Sequence, residues 1–217
     1  MEHTVSNCCD ATNAHFDGRH ARRDLGRYLS AGPSVTAKFM VSGLKSLGLR
    51  NTTLLDVGAG IGAIHHELVP DICDRAYHVD MSAAYLRCAR EESVRRGQSD
   101  RVAFIHGDLV ESANDLPEVD FVTLDRVVCC YPDYRSLLGI ATGKSRTALA
   151  LSIPLERWYV RLAFLWFKVR HLVKREAFRS YIHPVADIQN LVEKQGFRVH
   201  DSHDGPFWRA VLFVRAT

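Results

Sequence analysis

The sequence predicts an α/β fold with a seven-stranded, mostly parallel β-sheet, helices on both faces and an antiparallel strand at its C-terminal end. Three observations predict it. Apolar runs alternate with helical patterns across residues 51–154, which is typical of parallel strands joined by helical crossovers. A glycine-rich turn follows the first apolar run, and two strand-like runs around a tight turn end the chain. Because the chain has 217 residues, we expect one domain, 1–217, with a sizeable core.

The first part of that domain is predicted to be a helical N-terminal arm, residues 1–50. Apolar side chains recur near helical spacing from Val35 to Leu47, after a start signal at Pro33 and Ser34. A core of alternating strands and helices follows at 51–154. Its strands are predicted at 53–57, 76–80, 102–106, 120–124 and 147–154, with helical patterns such as 82–97 between them.

The remaining third contains a predicted helical insertion at 155–181 and a C-terminal unit at 182–217. In that unit, residues 185–196 have a helical pattern that ends at Gly196. Residues 197–216 then form two strand patterns around a turn at His-Asp-Gly-Pro. We therefore expect an antiparallel hairpin to complete the sheet.

Composition and charge exclude several classes of protein. The net charge of +3 gives no reason to expect a nucleic-acid partner. The first twenty residues lack the apolar segment of a signal peptide, and no apolar run approaches the ~18 residues of a membrane span. The six cysteines form no Cys-x-x-Cys pair, so we expect reduced thiols in a cytoplasmic protein and predict no metal site.

The glycine-rich turn indicates a nucleotide site. Gly58, Gly60 and Gly62 follow a buried strand, where glycines allow a sharp turn and a close approach of the backbone to a ligand. Asp80 ends the second predicted strand, and a carboxylate there can accept both hydroxyls of a ribose. Because the same spacing satisfies the dinucleotide fingerprint, the turn alone fits either NAD or S-adenosylmethionine (SAM).

The run Asp56-Val-Gly58-Ala-Gly60-Ile-Gly62 resembles motif I of class I SAM-dependent methyltransferases. Asp108, in His-Gly-Asp-Leu after the third strand, matches the position where that family has an aspartate beside the adenine amino group. The long N-terminal arm and the terminal hairpin are also similar to that family. Taken singly, each aspartate is equally typical of a strand-end cap or a turn.

This resemblance implies a Rossmann-like fold, a SAM-binding core at 51–154 and methyl transfer that leaves S-adenosylhomocysteine (SAH). The cofactor-binding residues that it implies are Asp56, Gly58, Ala59, Gly60, Gly62, Asp80, Met81, Asp108, Leu109, Asp125 and Arg126.

Two further stretches resemble the magnesium-protoporphyrin O-methyltransferase group. Residues 124–134 contain Tyr131-Pro132, and Cys130 stands where that group often has histidine. Residues 179–198 match its Arg-x-Tyr-x-His run at Arg179, Tyr181 and His183.

The arm at 16–32 is also similar to that group's arm. The similarity implies that Phe16, Arg23 and Tyr28 lie over the cofactor pocket. The candidate catalytic residues are therefore Tyr28, Tyr131 and His183. An ionised carboxylate acceptor would need no general base, whereas a hydroxyl would need one. For His183 the alternative is a helix entry turn, because His-Pro commonly precedes a helix.

Residues 155–176 form a basic, apolar helical pattern. Its predicted apolar stripe is Trp158, Leu162, Leu165, Val169 and Leu172, and the cations beside it are Arg157, Arg161, Lys168 and Arg175. Three interpretations stay open. The stripe packs on the core, or the helix is a lid over an apolar substrate with its cations at carboxylates, or the helix docks on an anionic membrane.

The sequence thus predicts a SAM-dependent methyltransferase. The predicted reaction is O-methylation of a small apolar molecule that carries a carboxylate or hydroxyl, and a porphyrin-like molecule is one candidate for this acceptor. The alternatives are N- or C-methylation of a lipid-like molecule, a non-catalytic SAM-binding module and, least favoured, a NAD-dependent enzyme. The expected partner is a small-molecule acceptor. Peripheral membrane contact through 155–176 is the further expectation, and the sequence makes no prediction of oligomeric state.

Overall fold

The computed structural model of the protein describes residues 13, 15–173 and 177–216. The predicted helical content of residues 1–12, the thiols of Cys8 and Cys9 and the cation of Arg175 lie outside this part of the chain.

A single seven-stranded sheet forms the centre of the described structure. Its strands are β1 (Thr52–Val57), β2 (Cys73–Asp80), β3 (Val102–His106), β4 (Val119–Leu124), β5 (Ser145–Pro154), β6 (Phe197–Asp204) and β7 (Trp208–Arg215). The order across the sheet is β3-β2-β1-β4-β5-β7-β6. Strands β1 to β5 pair in parallel, and β7 runs antiparallel to both β5 and β6. The predicted fold class, with its antiparallel C-terminal strand, is confirmed.

Seven α-helices surround this sheet in the described residues. They are α1 (Gly18–Ala31), α2 (Val35–Ser46), α3 (Ala63–Leu68), α4 (Ala83–Arg95), α5 (Tyr134–Lys144), α6 (Trp158–Val173) and α7 (Val185–Lys194). Side chains of α2 and α3 pack on one face of the sheet, against Leu54 and Phe121. Those of α5 and α7 pack on the other face, against Leu55 and Val122. Neighbouring residues of one strand therefore enter opposite cores, as the two-residue period of a strand requires.

Local signals in the sequence set the helix boundaries. The arm contains two described helices, because Gly32 adopts a left-handed conformation (φ 75°) between them. Ser34 then caps α2, its hydroxyl oxygen accepting the Ala37 N–H at 3.2 Å. At the other end of the chain, β6 extends through Asp204, so the hairpin turn falls at 205–207. It lies slightly later than the predicted turn.

Helix α6 differs most from its prediction. The stripe expected to pack on the core or to cover a substrate points away from the protein: Trp158 is 73% exposed, Leu162 56% and Leu172 68%. The side chains that turn inward are Val160 and His171, which are buried. Two of the three open interpretations, packing of this stripe on the core and covering of a substrate by it, therefore do not fit the structure. The spacing could not decide among the three because apolar side chains also lie on the opposite face of the helix.

Three histidines are completely buried beneath the glycine turn. His65 and His66 lie on α3 and His78 on β2, and the His65 ring centroid is 4.2 Å from that of His66 and 5.1 Å from that of His78. Within the described structure, both ring nitrogens of His65 and of His78 lack a hydrogen-bond partner. Burial therefore disfavours the charged form, and it lowers the pKa of His78 from its ordinary 6.5 to about 3.

This burial predicts acid sensitivity that His78→Leu should reduce. Below pH 6.5 the unfolded chain binds a proton at His78, whereas the folded chain resists protonation until about pH 3. Folding stability is therefore lost progressively as the pH falls through this window, by up to about 1.4 kcal/mol per pH unit for each excluded proton. Urea denaturation at pH 7 and pH 5 should show a smaller loss in the variant, by about 1–2 kcal/mol.

The matched control is His200→Leu, at an exposed histidine outside the cluster. It should lose as much stability between the two pH values as the unchanged protein. If the unchanged protein and the His78 variant lost the same stability between pH 7 and pH 5, the acid sensitivity would not come from burial of His78.

Candidate functional site

The carboxyl ends of the parallel strands converge on one cavity of about 440 Å³. Such a position, outside the carboxyl ends of the strands, is where open α/β sheets bind ligands. Its sheet-side lining comes from Val57, Gly58, Gly60, Val79, Asp80, Met81, Gly107, Asp108, Leu109, Asp125, Arg126 and Val127. The opposite wall comes from the arm, α6 and the segment after it. Eight of the eleven residues predicted to hold the cofactor lie in this lining, and Asp56, Ala59 and Gly62 do not.

The glycine turn adopts a backbone that only glycine accommodates easily. Gly58, Gly60 and Gly62 have φ values of 56°, 57° and 80°. A Cβ atom at Gly58 would lie 2.5 Å from a methyl group of Val127, and one at Gly60 would lie 3.4 Å from the Tyr85 ring. The turn is anchored by the Gly58 N–H, which donates to the Val79 carbonyl at 2.8 Å. The backbone of the glycine turn can therefore line the cavity directly, with no side chain between it and a ligand.

Asp80 connects this turn to the end of β2. Its Oδ2 accepts the Gly60 N–H at 2.8 Å and its Oδ1 accepts the Ser82 N–H at 2.7 Å. Burial raises the pKa of the carboxyl, and the two N–H donors act in the opposite direction. Because Asp80 also lines the cavity, the remaining lone pairs of its oxygens can accept hydroxyl groups of a ligand.

Asp108 also lines this cavity and carries an unused hydrogen-bond acceptor. Its Oδ1 accepts the Val110 N–H at 2.6 Å and the Tyr131 hydroxyl at 3.1 Å. Its Oδ2 is buried and, within the described chain, has no hydrogen-bond partner. An unpaired buried acceptor is costly, so a ligand that donates an N–H here would recover a lost hydrogen bond.

Asp56 supports the turn from beneath and does not line the cavity. The Thr123 hydroxyl donates to Asp56 Oδ1 at 2.7 Å, across β1 and β4. Burial, reinforced by the nearby charge of Asp125, raises the pKa of Asp56 to about 7. Ala59 and Gly62 lie outside the lining as well. We therefore assign Asp56 a positioning role under the predicted cofactor site.

The end of β4 brings a carboxylate and a guanidinium into the cavity. The Ser152 hydroxyl donates to Asp125 Oδ1 at 2.6 Å, and its oxygen accepts the Arg126 N–H at 2.8 Å. Arg126 has a φ of 62°, a conformation that is costly for a residue with a side chain and is most often found at functional sites. Its guanidinium lies 5.2 Å from the ring centroid of Trp208, another lining residue.

The three catalytic candidates occupy different environments. Tyr131 lines the cavity. Tyr28 does not, and its hydroxyl donates to Glu67 at 2.7 Å; burial and this carboxylate raise its pKa, so the phenol keeps its proton. His183 is also outside the lining. Its Nε2 lies 2.9 Å from the Tyr131 carbonyl, and burial lowers its pKa. His183 therefore fixes the segment that carries Tyr131.

Aromatic side chains of the arm and of the α6 region meet over the cavity. His15 stacks on Phe178 with ring centroids 4.3 Å apart, and Phe16 lies edge-on to Phe178 at 5.5 Å. His171 of α6 completes the group, 5.0 Å from His15. The predicted position of Phe16 over the pocket is confirmed, while Arg23 lies exposed beside Asp24.

Sequence reasoning missed several lining residues. They are His15, Asp24, Val57, Val79, Tyr85, Gly107, Val127, Cys129, Cys130, Leu137, Phe164, Phe167, His171, Phe178, Ser180 and Trp208. One signal could have identified part of this set: Phe164, Phe167 and His171 recur at helical spacing opposite the exposed stripe, on the same side of the helix as the buried Val160. Contacts between distant segments, such as His15 with Phe178, leave no such signal.

One known protein family is similar to the central part of the chain. Residues 55–142 match the family model described as a methyltransferase domain. A search of curated proteins finds no match. The match covers both the glycine turn and the segment that carries Asp108 and Tyr131.

Solved structures share the whole fold. The magnesium protoporphyrin IX methyltransferase of Synechocystis PCC 6803 with bound SAH has a TM-score of 0.73 and 19% identity, over 94% of this chain and 98% of that one. Its structure with bound SAM has a TM-score of 0.71 and 17% identity, over 100% of both chains. An O-methyltransferase family protein from Burkholderia thailandensis has a TM-score of 0.70 and 18% identity, over 94% of this chain and 61% of that one. The predicted Rossmann-like fold, which these methyltransferases share, is therefore confirmed.

The close approach at Gly58 predicts a measurable cost for Gly58→Ala. Gly48 is a matched control, because its φ of 71° is similar but nothing lies within 4 Å of its would-be Cβ. Urea denaturation should show a loss of about 1 kcal/mol for Gly48→Ala from the left-handed backbone alone. Gly58→Ala should lose about 1–3 kcal/mol more, because its methyl group clashes with Val127. Equal losses would show that the turn has spare room.

Proposed function

We propose that this protein is a SAM-dependent methyltransferase that methylates an oxygen atom of a small apolar acid. The observation that carries the proposal is the buried, partnerless Oδ2 of Asp108, a residue that lines the same cavity as Asp80 and the glycine turn. This is the donor and acceptor pattern that an adenosine moiety needs, inside a chain whose residues 55–142 match a methyltransferase domain.

The residues present fit the cofactor. An adenine amino group would satisfy Asp108 Oδ2, and ribose hydroxyls would bind Asp80. Gly58 and Gly60 allow the turn to adopt its left-handed backbone, and both line the cavity. Met81 and Leu109 offer apolar surface to a base. We propose that SAM and SAH, the ligands bound in the two Synechocystis structures, bind in this cavity of the present chain.

When bound, SAM supplies an electrophilic methyl group on a sulfonium. The chain's own contribution is to hold the acceptor in line and to keep water away from the reacting atoms. The aromatic group formed by His15, Phe16, His171 and Phe178 covers part of the cavity and would help to exclude water. It joins the arm to the segment after α6, so closure depends on both.

The lining favours an apolar acceptor with a negative charge. Phe164, Phe167 and Trp208 supply apolar wall, and Arg126 is the one Lys or Arg among the lining residues of the described chain. Arg126 is among the residues that the family resemblance implies for the cofactor; we propose instead that it binds the acceptor carboxylate, with Trp208 orienting its guanidinium. The predicted lid cations at Arg157, Arg161 and Lys168 are not in the lining and do not serve this purpose.

A carboxylate acceptor needs no general base, because it is already ionised at neutral pH. For a hydroxyl acceptor, Tyr131 is the remaining candidate of the three predicted, since it lines the cavity and hydrogen-bonds Asp108. We propose that the protein is cytoplasmic, because its six cysteines include no Cys-x-x-Cys pair and are spaced as reduced thiols would be.

SAH binding tests the cofactor assignment. SAH should raise the melting temperature of the protein and NADH should not. Asp108→Ala should weaken SAH binding by about 1–3 kcal/mol, because it removes the acceptor for the adenine amino group. Isothermal titration measures this loss, and Asp115→Ala is the control because Asp115 lies outside the lining. Binding of NADH in place of SAH would overturn the proposal.

The acceptor is tested by mass spectrometry of candidate acids incubated with the protein and SAM. Magnesium protoporphyrin IX is the first acid to test, because the similar Synechocystis protein is a magnesium protoporphyrin IX methyltransferase. For any acid that gains one methyl group, Arg126→Gln should lower kcat/KM by about 10- to 100-fold through the lost charge-assisted contact. SAH affinity should stay unchanged in this variant. A fall in SAH affinity instead would place Arg126 at the cofactor.

A further inference from the structure

The outer face of α6 is a continuous apolar surface. Seven side chains on it are each more than half exposed: Trp158, Leu162, Leu165, Trp166, Val169, Leu172 and Val173. Exposed apolar side chains are usually scattered singly, so a group of this size on one helix marks an interaction surface. We call these seven residues the outer face of α6.

Cations flank the outer face on both sides. Helical spacing places Arg161 and Lys168 along one border and Arg170 along the other, and all three are exposed. Residues 155–175 contain six Lys or Arg and one Glu, so this segment has a formal charge of +5 within a chain of net charge +3. A surface that is apolar at its centre and basic at its edges matches the boundary between acyl chains and anionic headgroups.

We infer that the outer face of α6 docks on an anionic lipid bilayer, with α6 lying in the plane of the membrane surface. The helix has 16 residues and is therefore about 24 Å long. Among residues 13, 15–173 and 177–216, no helix combines the length and the apolar character that crossing a membrane requires. An orientation along the surface is the one that buries the apolar stripe and leaves the flanking cations at headgroup level.

The flanking charges argue against a second copy of this chain as the occupant. Two outer faces packed together would bring Arg161, Lys168 and Arg170 of one chain close to the same cations of the other. Like charges across an interface are unfavourable. Anionic headgroups instead complement the cations on both borders at once.

This inference rests on the proposed function in one respect, the route by which an apolar acid would reach the cavity. The inner face of α6 contributes Phe164, Phe167 and His171 to the cavity, directly behind the outer face. A docked α6 therefore separates the cavity from the acyl chains by one helix diameter. An apolar acid dissolved in the bilayer would have its shortest path to the cavity past this helix.

Vesicle flotation tests the docking. The unchanged protein should float with vesicles of phosphatidylcholine containing about one third phosphatidylglycerol, and much less with phosphatidylcholine alone. In the triple variant Leu162→Glu, Leu165→Glu, Val169→Glu, affinity for the anionic vesicles should fall by about tenfold or more, because the variant places negative charge on the apolar outer face. Leu29→Glu is the matched control, since Leu29 is an exposed leucine of another helix, and it should bind normally.

The cations have their own variant. Arg161→Gln with Lys168→Gln should weaken binding to the anionic vesicles by about fivefold for each residue, and the effect should shrink at high salt. Equal binding of the unchanged protein to both kinds of vesicle would overturn the role given to these cations.

Two further outcomes separate this inference from the proposed function. All variants should keep the SAH-induced rise in melting temperature, which shows that they fold and keep the cofactor site. If the unchanged protein binds SAH but ignores the vesicles, the docking is refuted and the proposed function stands. A dimer in light scattering that the triple glutamate variant abolishes would assign the outer face to self-association instead and refute the inference.

Discussion

The hydrogen bond from the Gly60 N–H to Asp80 Oδ2 is the interaction on which the rest of the site depends. It joins the end of β1 to the end of β2 across 2.8 Å, and it forms because Gly60 turns with a left-handed φ. The same carboxylate accepts the Ser82 N–H, which starts α4. One buried charge therefore fixes the glycine turn, the direction of a helix and the position of two acceptor oxygens in the cavity. Without this bond, the turn would be held to β2 only by the Gly58 and Ala59 N–H groups at the Val79 carbonyl.

Much of the fold could be predicted from the sequence because its signals are local. Alternating apolar runs identify the strands, and Ser34 and Gly196 mark the boundaries of helices. The residues at strand ends were identified for the same reason. Parallel strands bring their carboxyl ends to one edge, so Asp80, Asp108 and Asp125 had to converge.

What could not be predicted depends on contacts between distant segments. Tyr28 was expected over the pocket, but its hydroxyl meets Glu67, 39 residues away, and the arm is oriented accordingly. His183 holds a carbonyl 52 residues earlier in the chain. Helix α6 shows the other limit: apolar side chains lie on two opposite faces of it, so the spacing alone does not reveal which face is buried. Only the packing of Val160 and His171 decides it.

The stacking of His15 on Phe178 has a kinetic consequence. The two rings come from opposite ends of the chain, 4.3 Å apart, and both line the cavity. Under the proposed function, the arm and the segment after α6 would have to separate before a ligand buried beneath this stack could leave. The arm is held at a second point, because the Ser82 hydroxyl at the start of α4 donates to the Phe16 carbonyl. Slow product release would then be a property of this contact between distant segments and not of the sheet.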